Sequence, residues 1–242
     1  LATEGLTTDL LLEGLTHQST VVKIFIEQRE SKRTILKRRL KRIGIGKTTG
    51  QVLFQFIALP FISTKKNRIK EIIRESGLNG HGIPESQISR IKTVHDKSLK
   101  DLINAERPTL IVINGTRILK KELLDQINCP IINIHVGITP KYRGVHGGYW
   151  AVHNDEPELF GVTLHYVDKG IDTGQIIAQR VIQPKKEDNF KTYPILQYCN
   201  GIELIKENYE RIIEDKVTSP DPLTQESKLF YHPTIWNYLF RR

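Results

Sequence analysis

Asn133 and His135 stand two residues apart in the β-branched apolar run from Pro130 to His135, which reads as a strand. With a side-chain period of two, both project from one face while Ile132 and Ile134 take the other. Gly137 and Pro140 then end the run, which sets the pair at a carboxyl edge that a ligand can reach. Downstream, the polar turn Asp168-Lys169-Gly170-Ile171-Asp172-Thr173-Gly174 offers the carboxylate of Asp172 from a second loop. Singly, each is ordinary: a hydrogen-bonded strand histidine, an asparagine that caps, an aspartate that forms a turn. Together, an amide donor, an imidazole and a carboxylate are the set that acyl transfer to an amine requires. The carbonyl oxygen gains negative charge, the attacking nitrogen loses a proton and the departing nitrogen gains one.

The elements that must position these groups alternate. Strands are predicted at Val21–Ile26, Leu110–Ile113, Pro130–His135, Val162–Val167 and Gln175–Val181, and helices at Asp9–Leu15, Arg29–Ile43, Lys65–Glu75, Ser98–Glu106, Leu119–Ile127 and Ile202–Glu214. Gly77 to Pro84 reads as a loop. This order implies an α/β fold, Rossmann-like, with a mostly parallel sheet covered by helices on both faces, and with its site beyond the carboxyl ends of the strands.

Composition narrows the class. The 242 residues are enough for one domain with a sizeable core, and 38% hydrophobic with 26% charged residues is ordinary for a folded protein. Cys129 and Cys199 form no CxxC and stand near no histidine pair, so neither zinc nor a disulfide framework is expected; both read as buried thiols. The longest apolar stretch, Val52 to Ile62, is too short to span a bilayer, and no secretory leader is legible, so a cytoplasmic location is expected. The net charge of +9 gathers between Arg29 and Lys47. A solvated basic helix is the plain account; a phosphorylated substrate, a folate polyglutamate tail or an anionic membrane surface are the sharper ones. Gly44-Ile45-Gly46-Lys47-Thr48 imitates a phosphate loop, but Lys41 stands where the leading glycine belongs and a helix precedes it, so no nucleotide-triphosphate site is expected.

The pattern Asn133-x-His135 with Pro140 and Gly144, then Gly161-x-Thr163-x-His165 and Asp172-x-Gly174-x-Ile176, resembles the folate-dependent formyltransferases: glycinamide ribonucleotide transformylase, methionyl-tRNA formyltransferase and sugar-nucleotide N-formyltransferases. The resemblance implies a formyltransferase catalytic domain over residues 1–217, with 218–242 as a C-terminal extension. The aromatic and basic end of that extension, Phe230 to Arg242, reads as packing against the core or a second subunit, a homodimer being compatible with it, and substrate contact is the sharper reading. The resemblance also implies 10-formyltetrahydrofolate as co-substrate, Asn133, His135 and Asp172 as the catalytic residues, and no metal. It assigns Arg117, Ile118 and Leu119 together with Asp168, Lys169, Gly170 and Ile171 to the folate pocket, and His165 to a supporting position. The family ordinarily has an apolar residue where Thr116 precedes Arg117, and the chain contains no methionine, which suggests that methionines are missing from the sequence as written.

Three acceptors follow from the family. The purine enzymes carry a Gly/Ser-rich phosphate loop where this chain has Thr3-Glu4-Gly5-Leu6-Thr7-Thr8, which counts against glycinamide ribonucleotide, and only a short segment follows Val217, which counts against tRNA. An amino-sugar nucleotide is the expected acceptor. From another class, a 10-formyltetrahydrofolate hydrolase or a non-catalytic folate-binding module would share the same pocket.

Overall fold

The structure, a computed structural model, describes residues 1–16, 20–80 and 85–240. In chain order its helices and strands are α1 (Leu6–Thr16), β1 (Ile24–Glu27), α2 (Lys32–Leu53), α3 (Lys66–Glu75), β2 (Ile88–Ile91), α4 (Leu99–Glu106), β3 (Ile111–Ile113), α5 (Lys121–Leu124), β4 (Ile131–His135), β5 (Arg143–Gly144), α6 (Gly147–His153), β6 (Gly161–Tyr166), β7 (Ile176–Val181), α7 (Tyr193–Ile213), β8 (Leu229–Phe230) and α8 (Ile235–Leu239).

β1 pairs in parallel with β2, and β3 with β4. Ala2 bridges Ile26 on one side and Asn114 on the other, so the first residues join the two pairs into one sheet. β6 and β7 complete it, but both pairings, β4 with β6 and β6 with β7, are antiparallel. β7 therefore runs in the same direction as β4, and the sheet is mostly parallel as expected, with β6 the reversed strand. The connection from Val167 to Gln175 is too short for a crossover helix and can only close a hairpin.

Alternation along β4 and β6 splits the apolar side chains between two layers. Ile132, Ile134, Val162 and Leu164 meet Leu10 and Leu11 of α1 and Ile202 and Ile205 of α7. The approach is close: a Cβ on Gly201 of α7 would lie 2.3 Å from Ile134. On the opposite face Ile111 and Ile131 pack with Leu99 and Ile103 of α4 and with Leu119 and Leu123. Helices on both faces follow from this division. The register sets Asn133 opposite His165 and His135 opposite Thr163, so the four polar side chains share the second face.

Several elements differ from the sequence reading. α7 begins at Tyr193, nine residues before Ile202, because Pro194 falls in its first turn, where a missing N–H costs nothing. α2 runs past the expected end at Ile43; its helical course breaks at Gly44 (φ 77°) and resumes, so the false phosphate loop is helix. The expected helix Leu119–Ile127 contracts to Lys121–Leu124. Strand β2, helix α6, the β5–β8 pair and α8 were not anticipated. Of the predicted loop Gly77–Pro84, residues 81–84 lie outside the described residues, as do 241 and 242. Cys199 is buried and Cys129 half-buried, both as free thiols.

Candidate active site

Asp172 sits at the centre of the polar cluster. Its Oδ2 lies 3.3 Å from Nδ1 of His135 and its Oδ1 lies 3.6 Å from Nε2 of His165. The Gly144 N–H donates to Oδ2 at 2.8 Å. The residue adopts φ 51°, the left-handed region that aspartate tolerates better than most residues. Gly144 is required where it stands: its φ is 97°, and a Cβ there would meet the Phe230 carbonyl oxygen at 2.2 Å. Burial alone would raise the Asp172 pKa, but His135, the contact with His165 and the Gly144 N–H together hold it down to about 2. The carboxylate is therefore anionic at neutral pH.

The imidazoles differ in their hydrogen bonds. His165 Nδ1 donates to the Tyr166 carbonyl at 2.7 Å, and its Nε2 is hydrogen-bonded with Asn133 Nδ2 at 3.2 Å. That bond orients the Asn133 amide and leaves its second N–H free of this contact. His135 Nε2 donates to the Tyr142 carbonyl at 2.6 Å, and its Nδ1 faces Asp172. Both nitrogens of His135 are thus engaged, and donation from it to a substrate oxygen would require release of Tyr142.

The cluster lies on the wall of a cavity of about 650 Å³. Of the expected folate-pocket residues, Arg117, Ile118, Leu119, Asp168, Gly170 and Ile171 line it, whereas Lys169 is exposed and does not. Two of the charged groups are engaged elsewhere. The Arg117 guanidinium contacts buried Glu27 and lies 3.3 Å from Glu30, and the Arg117 backbone N–H donates to Glu27 at 2.8 Å, so the residue ties the loop after β3 to the end of β1. The Asp168 carboxylate accepts from the Gly170 N–H and the Thr173 hydroxyl, both at 2.9 Å, and closes its own turn. The contributions left to a ligand are apolar side chains, backbone and the Thr116 hydroxyl, which is buried without a partner among the described residues.

The far wall brings together the basic segment and the C-terminal extension. Arg38, Arg39 and Arg42 of α2 line it, as do Tyr231 and His232 from the segment after residue 217. Burial and the neighbouring charge of Arg38 both lower the Arg39 pKa, while Arg38 pairs with Glu30 at 2.7 Å and Arg42 lies 5.1 Å from the centre of the Tyr231 ring. The C-terminal segment is held there by β8 pairing with β5, by Trp150 Nε1 donating to Tyr231 O at 3.0 Å and by Gln51 donating to His232 O at 2.7 Å. Behind it, His146 and His232 hydrogen-bond to each other at 3.0 Å. Burial lowers their pKa values to about 3 and about 4, with further lowering by His232 on His146 and by Arg39 on His232. Among the described residues no group of three or more His, Cys, Asp or Glu side chains is placed to hold a metal ion.

The formyl transferase family matches residues 61–194, more than half of the chain. This chain belongs to that family. The methionyl-tRNA formyltransferase of Thermodesulfovibrio yellowstonii is 33% identical over 154 residues, 64% of this chain and 48% of that protein. The chain spans about half the length of the curated relatives it matches. Among solved structures, the phosphoribosylglycinamide formyltransferase of Anaplasma phagocytophilum superposes with a TM-score of 0.57 at 15% identity over 95% of each chain. That of Streptococcus pneumoniae gives 0.52 at 19% identity, over 86% of this chain and 96% of the other. At these identities the two structures share the fold. In this formyl transferase family member the match spans Asn133, His135, His165 and Asp172, whereas Arg38, Arg39, Arg42, Tyr231 and His232 lie outside it.

Proposed function

We propose that the chain transfers a formyl group from 10-formyltetrahydrofolate to a primary amine, and that the amine belongs to an amino-sugar nucleotide. The observation that carries the first part is Asp172 held between His135 and His165, beside Asn133, on the wall of one cavity. The donor fits the residues present: Ile118, Leu119, Val167 and Ile171 offer apolar surface to a flat ring, and the unpartnered Thr116 hydroxyl offers it a hydrogen bond. When bound, the folate supplies a formyl carbonyl and the nitrogen that leaves it.

The chain's own groups divide the work. The second N–H of Asn133 donates to the formyl oxygen as that atom gains charge, a contact worth about 2.7–4 kcal/mol elsewhere. Asp172, with its low pKa, is a weak base at neutral pH; it stabilises positive charge, on the amine nitrogen as the N–C bond forms and on His135. The amine's proton leaves to a water that Asp172 positions, and a proton reaches the departing nitrogen as the old N–C bond breaks. His135 holds Asp172 through Nδ1 while Tyr142 holds His135.

The basic wall supports the acceptor assignment. Three arginines, two of them without a carboxylate partner among the described residues, face the cavity and suit the phosphates of a nucleotide-linked sugar. A second reading, methionyl-tRNA as acceptor, is favoured by the curated relatives. Incubation with 10-formyltetrahydrofolate and a panel of amino-sugar nucleotides, glycinamide ribonucleotide and aminoacylated tRNA, read by mass spectrometry, tests both. A formylated sugar nucleotide is expected. Formylated tRNA or ribonucleotide alone would replace the acceptor, formate released without any amine would mean a hydrolase, and donor binding without turnover would mean a binding module.

A further inference from the structure

The five most exposed large apolar side chains among the described residues, Phe61, Ile45, Phe56, Phe240 and Leu239, are 60–87% exposed and belong to two neighbouring segments. One is the second half of α2 with the tight turns Phe54–Ala58 and Leu59–Phe61 that continue it; the other is α8, which packs on α2 and on the first of those turns. The Phe54 and Tyr238 rings meet at 5.6 Å, and Trp236, itself 54% exposed, stacks on Phe240 at 6.4 Å. Beneath them Phe54, Ala58, Ile62 and Ile235 already form a closed cluster. The outer side chains therefore add nothing to that core and stand as an apolar face on a folded support.

Charge surrounds this face. Residues 32–70 contain twelve Lys or Arg and no Asp or Glu, and the chain's other 24 Lys and Arg are outnumbered by its 27 Asp and Glu. The positive charge of the molecule is thus concentrated on the stretch that presents the aromatic and aliphatic groups, with Lys37, Lys41, Lys47, Lys65 and Lys66 exposed. No helix among the described residues is long and apolar enough to cross a membrane.

We propose that this face docks on an anionic lipid bilayer, with Phe56, Phe61, Trp236 and Phe240 entering the headgroup region and the exposed lysines against lipid phosphates. Two alternatives fit less well. A second copy of the chain would bring like charges together, and a nucleic acid would find aliphatic Ile45, Ile57 and Leu239 where bases need aromatic faces to stack on. Because Ile35, Arg38, Arg39 and Arg42 of the same α2 line the cavity, docking would set that wall of the site beside the bilayer.

The test uses the chain with large vesicles of phosphatidylcholine alone and of an equal mixture with phosphatidylglycerol. Sedimentation with the mixed vesicles and not with phosphatidylcholine is expected, weakened by high salt. Trp236 provides a local signal, since Trp150, the other tryptophan, is buried: emission should shift to the blue on binding, and Trp236→Phe should remove the shift while sedimentation persists. The pair Phe56→Ser and Phe61→Ser, and separately Lys37→Glu and Lys41→Glu, should each lower partition about tenfold or more. Circular dichroism checks folding, and should one pair fail to fold the other decides. Equal sedimentation with both lipid compositions or with neither, unchanged partition of a folded variant pair, or a concentration-dependent dimer that the Phe substitutions abolish would overturn the proposal, as would binding to tRNA in place of vesicles.

Discussion

Asp172 and Arg39 line the same cavity, and the protein treats their charges in opposite ways. The carboxylate has two imidazoles and a backbone N–H around it, and its pKa falls to about 2 in spite of burial. The guanidinium has no carboxylate partner among the described residues; burial and the neighbouring charge of Arg38 both disfavour its charged form. A charge that the fold has already compensated is ready to act on a reacting atom, whereas one left uncompensated is favoured only when an anion arrives. One wall therefore reads as chemistry and the other as recognition. The histidines repeat the contrast: His135 and His165 flank a carboxylate, while His146 and His232 have each other.

Substitutions should separate the two walls. The largest effect is expected at Asp172→Asn, which should lower kcat about a thousandfold and leave the chain folded. Asn133→Ala, which removes the proposed donor to the formyl oxygen, should cost about a hundredfold in kcat with KM for both substrates little changed in steady-state assays. Arg39→Gln should do the reverse, raising KM for the acceptor about tenfold while kcat and the donor's KM stay within about twofold. A fall in kcat instead would place Arg39 with the chemistry and end the division.

The smallest effects concern stability. Above about pH 6.5 the His146 and His232 rings are neutral whether the chain is folded or not. Below it the unfolded chain binds protons that the native rings, at about 3 and about 4, refuse, so stability falls as pH drops from about 6.5 towards 4. Each ring should account for on the order of 1 kcal/mol between pH 7 and 5, and His146→Gln should flatten the slope of urea midpoints by that share. Asp172 acts with the same sign in a lower window: its contribution is complete above about pH 4 and is lost only as pH falls towards 2. A slope confined to the lower window would contradict the assignment of neutral rings.

What could be read from the sequence followed local rules. Asn133 and His135 were legible because a period of two and an abrupt turn fix face and edge together, and Asp172 because its turn is polar among apolar strands. The arginines of α2 were legible only as a basic segment with several possible ligands, since a charged helix carries no mark of the cavity that a distant sheet edge and the C-terminal segment build around it. Arg117 was placed at the pocket by the resemblance and lines the cavity, but its tie to Glu27, 90 residues earlier, leaves no local mark. Likewise the reversal of β6 depends on connection length and pairing partner, which strand composition leaves open, and Pro194 hid the start of α7 because proline breaks a helix everywhere but in its first turn.

Single-turnover formyl transfer by Asp172→Asn, beside the unsubstituted chain and with saturating donor and the best amine of the panel, is the most direct measurement. If a carboxylate held between His135 and His165 drives the transfer, donor binding will be retained and the transfer rate will fall about a thousandfold. A rate within about twofold of the unsubstituted chain, with the donor bound equally well, would show that the chemistry lies elsewhere.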